Sequence, residues 1–185
     1  IYRNEEQFEA IAEKVNEIAD QLKEKGVSIK FDKRDTLRPG AKFAEWELKG
    51  VPLRIALGAR DLENGTLEIA RRDTFEKQSV AQKDAVETVL SLLETIQEEL
   101  FNKAKNYRSE FTTSVDTFEE FKQVIDTKGG FVSAHWDGTA ETENKIKELT
   151  KATIRCIPLD ALEEEGKCVY SGQNSTKRVL FAKAY

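Results

Sequence analysis

Phe43, Glu45, Trp46 and Glu47 set two rings beside two carboxylates, and Arg54, Arg60, Arg71 and Arg72 follow on what read as neighbouring strands. An exposed guanine offers two N–H donors and one carbonyl acceptor on its Watson–Crick edge. A carboxylate can take both donors while an arginine serves the acceptor or a phosphate. Phe43 offers a face on which a base can stack. The block of residues 38–74 is thus suited to unpaired RNA. Taken singly, each residue also has a plainer reading. Glu47 fits a solvated helix position, Arg60 and Asp61 a loop ion pair of little worth, and Arg71 and Arg72 a solvated strand end. Trp46 reads as core, because large aromatics at helical spacing pack inward.

The elements that must carry these groups follow from hydrophobic spacing. Residues 4–25 read as an amphipathic helix, with Phe8, Ile11, Val15, Ile18 and Leu22 on one stripe and Gly26 ending it. Residues 27–32 alternate as a strand. Pro39 opens a short helix carrying Phe43, Trp46 and Glu47, since a first helical turn has no use for the missing N–H. Residues 51–57 and 66–71 read as strands joined by a turn at Asn64-Gly65. A helix over residues 80–107, apolar at Val86, Val89, Leu93, Ile96 and Leu100, would span roughly 40 Å and bridge two domains. Beyond it come a helix over 117–126, a strand over 130–136, a helix over 139–150, and strands over 153–157, 168–170 and 179–183. The expected fold is an α/β domain, a mixed sheet flanked by helices, over residues 1–102, followed by a smaller α+β domain over 103–185.

Composition narrows the function classes. The net charge of −5 argues against a general nucleic-acid binder, whose affinity comes from neutralising phosphates. Residues 38–72 are locally different, with seven basic against five acidic side chains. That balance suits a module that reads a few bases and leaves most of the grip to other parts of a larger protein. No apolar run approaches the ~20 residues needed to cross a bilayer. A chain that opens on Ile1 and contains no methionine reads as a piece of a longer protein. No glycine-rich phosphate loop is present, and the lone histidine, His135, has no evident nucleophile partner. Catalysis is not expected of this chain.

The run from Arg38 through Asp61, with the later LENGTLEIARRDT, resembles the anticodon-binding domain of prolyl-tRNA synthetase, a class II ligase, in the type shared by eukaryotes, archaea and some bacteria. ATIRCIPLDALEEEGKCVYSG and the terminal KRVLFAKAY are similar to the extra C-terminal domain of that type. The resemblance implies that Glu47, Arg54, Arg60 and Asp61 contact the anticodon, whose second and third positions are both guanine in proline tRNAs. Phe43 is then a candidate stacking platform, and Arg71 and Arg72 are candidates for phosphate contacts. It further implies a catalytic domain in the same polypeptide that handles ATP, magnesium and proline, a homodimeric parent, tRNA(Pro) as partner, a cytoplasmic location and no membrane. No cofactor is expected in this chain. The C-terminal residues of the family fold back towards the catalytic domain, so Tyr185 would buttress the parent's active site. The competing expectation is a non-catalytic module reusing the fold for other RNA or for protein partners.

The family's C-terminal domain also commonly holds zinc on four cysteines. This chain has Asp137, Thr142, Cys168 and Ser171 at those places. One thiol, one carboxylate and two hydroxyls make a poor tetrahedral site, so no bound metal is expected and these residues should pack or hydrogen-bond instead. Cys156 reads as buried core and His135 as a strand residue with an ordinary hydrogen bond.

Overall fold

A computed structural model of the chain describes residue 2 and residues 4–184. It divides into two units, Ile1–Leu100 and Phe101–Tyr185. Tyr185, the expected buttress, lies outside the described residues. Among those described, no helix is long and apolar enough to cross a membrane.

The first unit begins with α1 (Glu5–Glu24), whose N-cap Asn4 accepts a hydrogen bond from the Gln7 backbone N–H. Its stripe of Ile11, Ile18 and Leu22 is buried, as the spacing requires. Residues 27–32 form no strand. Their alternation is instead used by an irregular segment, with Val27 and Ile29 packed against the core. Then come α2 (Pro39–Leu48), β1 (Leu53–Ala56), α3 (Ala59–Asn64), β2 (Thr66–Arg71), β3 (Lys77–Ala81) and the start of α4 (Ala85–Glu110). The Asn64-Gly65 pair is not a hairpin turn. It ends α3, with Gly65 as the left-handed C-cap at φ 65°.

The strands pair antiparallel in the order β1-β2-β3, with Arg54 opposite Ala70 and Leu53 opposite Arg71. Period-two alternation divides this small sheet. Leu53, Ile55, Leu67 and Ile69 join Ile11, Ile18 and Leu22 of α1 and Ala85 and Val89 of α4 in one core. Arg54, Glu68 and Ala70 fall on the other face.

The second unit is built on a mixed sheet in the order β4-β5-β9-β6, from β4 (Thr112–Ser114), β5 (Phe131–His135), β6 (Ala152–Cys156) and β9 (Arg178–Lys183). β4 runs parallel to β5, and the other pairs are antiparallel. α5 (Phe118–Thr127) and α6 (Ala140–Thr150) cover it, each opened by a threonine N-cap, Thr117 and Thr139. Phe121, Ile125, Val132, Ile146, Val179 and Phe181 form the core. Residues 168–170 are not a strand. They belong to the link between β7 (Gly166–Lys167) and β8 (Asn174–Ser175), which form a small hairpin.

Cys156 is exposed rather than core. A register shift between Ile154 and Cys156 breaks the alternation of β6, so Ile154 packs inward and Cys156 turns out.

Candidate nucleic-acid interface

The helix carrying Phe43 and Glu47 is fixed from one side by Asp32. Arg34 donates to the Asp32 carboxylate from Nε at 2.9 Å and from Nη2 at 2.6 Å, and the Trp46 indole Nε1–H donates to Oδ2 at 2.9 Å. Arg34 reaches across to Glu45 Oε2 at 2.8 Å, and Lys49 holds Glu45 Oε1 at 2.6 Å while standing over the Trp46 ring. Hydrogen bonds from Arg34 outweigh the opposing effect of burial and, with that from Trp46, hold the Asp32 carboxyl well below the usual range. Trp46 is therefore a half-buried strut and not core, because its N–H needs the Asp32 partner. Sequence reasoning missed Asp32 and Arg34. An acidic residue two before an arginine is an ordinary surface pattern, and only α2 makes it a hub.

On its other side α2 meets the polar face of the sheet. Phe43, Trp46, Glu47, Val51, Arg54, Ala70, Arg71 and Arg72 line a cavity there. The Arg54 guanidinium lies 3.7 Å from the centroid of the Phe43 ring and donates to Glu68 Oε1 at 3.3 Å. One face of Phe43 is thus a shelf for Arg54 before it is a platform for anything else. Arg54 Nε is buried without a hydrogen-bond partner among the described residues. A buried unpaired donor is costly, and sites that take up a ligand are where such groups are kept. The half-buried Glu47 carboxylate also has no protein partner among the described residues. Arg72 donates from Nε to the Glu47 backbone carbonyl at 2.8 Å, which locks β2 to the end of α2 and leaves its outer guanidinium nitrogens to solvent.

The structure brings Phe43, Glu47, Arg54 and Arg72 together and sets the rest apart. Arg60 and Asp61 are in α3, not a loop, and α3 follows the opposite end of β1 from the cavity. Arg60 is exposed. Asp61 Oδ2 accepts the Gly58 backbone N–H at 2.8 Å, capping its own helix. Arg71 touches the cavity, but as an odd-numbered residue of β2 it turns towards α4. There Asp73 binds it at 2.7 Å and Glu99 closes a second ion pair. Asp73 and Glu99 take the Nε and Nη2 donors of Arg71 and leave Nη1 as the nitrogen on which a phosphate contact would depend.

In the second unit Asp137, Thr142 and Ser171 do meet. Asp137 Oδ1 accepts from the Thr139 backbone N–H at 3.0 Å and hydroxyl at 2.8 Å, and Oδ2 from Thr142 Oγ1 at 2.7 Å and Ser171 Oγ at 2.6 Å. Burial alone would raise the Asp137 carboxyl, but the bonds from Ser171, Thr142 and Thr139 outweigh it and hold it at about 2. These residues do not fit zinc. The carboxylate is saturated, both hydroxyls are spent as donors, and Cys168, buried nearby in sequence, is the lone thiol of the set. Among the described residues no cluster of His, Cys, Asp or Glu is arranged to hold a metal ion.

His135 has more than one ordinary bond. Nε2 donates to Glu164 Oε1 at 2.9 Å, and Nδ1 lies 3.2 Å from Ser175 Oγ. The order of groups is that of a hydrolytic triad, yet the imidazole is buried. Gly166 seals it, since a Cβ there would stand 2.1 Å from Nε2, and the Ser175 hydroxyl donates to the Lys177 carbonyl at 3.0 Å. No substrate could reach it, so the constellation is structural.

Residues 2–92 match the family model described as the anticodon binding domain, and residues 118–185 match that described as prolyl-tRNA synthetase, C-terminal. Curated proteins named proline–tRNA ligase are similar over the whole chain. Identity is 60% over 185 residues with that of Flavobacterium johnsoniae, 58% over 185 with that of Porphyromonas gingivalis ATCC 33277, and 53% over 190 with that of Bacteroides fragilis. All of this chain is covered in each, but only 37–38% of the relative. The two family models, in this order along one chain, and the full-length likeness to these relatives show that the chain belongs to the prolyl-tRNA synthetase family, of which it carries the anticodon-binding and C-terminal domains.

Proposed function

We propose that the first unit takes up the anticodon loop of tRNA(Pro), with Glu47 and Arg54 reading base edges, Phe43 and Arg54 forming one wall, and Arg72 meeting a phosphate. The observation that carries this reading is the cavity itself. It holds a half-buried carboxylate and a buried guanidinium N–H that find no partner among the described residues, an arrangement that complements a guanine edge. Arg60 and Asp61 sit apart, so Arg60 serves a second, peripheral contact and Asp61 positions α3.

The longer protein would be a proline–tRNA ligase. Its catalytic domain, in the same polypeptide, would use ATP and magnesium to activate proline and transfer it to the acceptor end of the tRNA. The protein would act as a homodimer in the cytoplasm. The residues described here hold and orient the tRNA and supply no group to bond making. Exchanging the guanine that Glu47 reads, at the second or the third anticodon position, for another base should weaken binding about tenfold or more, the worth of one good bidentate base contact. Equal binding of native and exchanged tRNA would sink the proposal.

A further inference from the structure

We propose that Phe75 is a second base-stacking platform, held in strained backbone in the turn that follows Arg72; this rests on the reading of the first unit as an anticodon binder. The turn between β2 and β3 is closed by the Arg71 N–H, which donates to the Glu76 carbonyl at 2.9 Å. Within it Phe75 adopts φ 61°, a left-handed conformation that is a genuine outlier for a bulky side chain. Elsewhere among the described residues the left-handed positions belong to glycines and to Lys151. Burial does not offset the strain, because Phe75 is 73% exposed. Strain kept at an exposed ring is the pattern expected where a ligand covers that ring.

The place of Phe75 says which ligand. It follows Arg72 by three residues, so its Cα lies within about 11 Å of that of Arg72. Arg72 lines the cavity and keeps its outer nitrogens free. A strand of RNA with a phosphate on Arg72 thus passes within reach of the exposed Phe75 ring, on which a neighbouring base can stack. Base–aromatic stacking is tolerant of sequence, so Phe75 adds grip and not discrimination.

The test uses the 185-residue chain and a synthetic anticodon stem-loop with guanines at the second and third anticodon positions. Phe75→Gly should raise the unfolding temperature of the first unit, by relieving strain, and yet weaken RNA binding about tenfold. Phe75→Leu should weaken binding similarly without the gain in stability, and Phe75→Tyr should bind like wild type. The salt dependence of binding should be unchanged in all three, since no phosphate contact is lost. Wild-type affinity in both Phe75→Gly and Phe75→Leu, with guanine discrimination intact, overturns the role of Phe75 alone and leaves a protein partner as the occupant of that ring. No guanine discrimination by the wild-type chain overturns the anticodon reading and this proposal with it.

Discussion

Replacing Asp137 by asparagine keeps the shape of the side chain and removes its charge, so the variant isolates what four donated hydrogen bonds contribute to the second unit. The carboxyl is held at about 2 against an ordinary 3.8. Each unit of displacement corresponds to 1.36 kcal/mol, which gives about 2 kcal/mol, and partial exposure lowers this towards about 1 kcal/mol. The folded state depresses this carboxyl. The stabilisation is therefore fully present above about pH 4, where the unfolded chain is also ionised, and is lost as pH falls towards 2. For a domain of this size each kcal/mol moves the midpoint by roughly 4–8 °C. Thermal unfolding of wild type and Asp137→Asn, followed through Trp136 in a Trp46→Phe background, should differ by roughly 5–15 °C at pH 7 and converge below pH 3. A chelator should leave both curves where they are, since the tie uses no metal. A gap that stays constant from pH 7 to pH 2, or a wild-type midpoint that falls on chelation, would refute the reasoning.

Two other outcomes follow from named contacts, and a third from the family resemblance. Asp32→Ala leaves the Trp46 N–H without its acceptor and should destabilise the first unit by about 1–3 kcal/mol in urea unfolding, with red-shifted Trp46 emission; an unchanged midpoint would show that Asp32 does not hold α2. A thiol reagent should label exposed Cys156 in the native protein and reach buried Cys168 only on unfolding, and equal rates would contradict the bulge that turns Cys156 outward. If the longer protein is the proposed ligase, deleting Ala184 and Tyr185 from it should impair proline activation while tRNA affinity holds, and unchanged activation would remove Tyr185 from any role at the active site.

Much of this architecture is written in local spacing. The α1 stripe, Pro39 opening α2 and the threonine caps of α5 and α6 are short-range signals, and each element stands within a residue or two of where its pattern puts it. Long-range pairing was not legible in the same way. Residues 27–32 alternate like a strand but find no partner, Asn64-Gly65 has hairpin composition but caps a helix, and β3, being polar, gives no hydrophobic signal. The site divides along the same line. Phe43, Glu47 and Arg54 were visible as residue types suited to a base, and α2 and β1 bring them together. That Arg71 points to Glu99 depends on strand parity against α4, and that Asp61 closes its own helix depends on α3, which composition alone did not disclose. Phe75 was overlooked because a backbone outlier leaves no mark in side-chain periodicity.

The central claim is that the Glu47 carboxylate reads guanine in the anticodon. It is tested most directly by a double-mutant cycle that pairs Glu47→Gln with exchange of each anticodon guanine for adenine, with binding measured at one fixed salt concentration. The account predicts that wild type prefers guanine at one of the two positions by about tenfold or more, and that Glu47→Gln collapses that preference towards unity, because an amide cannot accept both guanine donors. An identical preference in wild type and Glu47→Gln at both positions would contradict it.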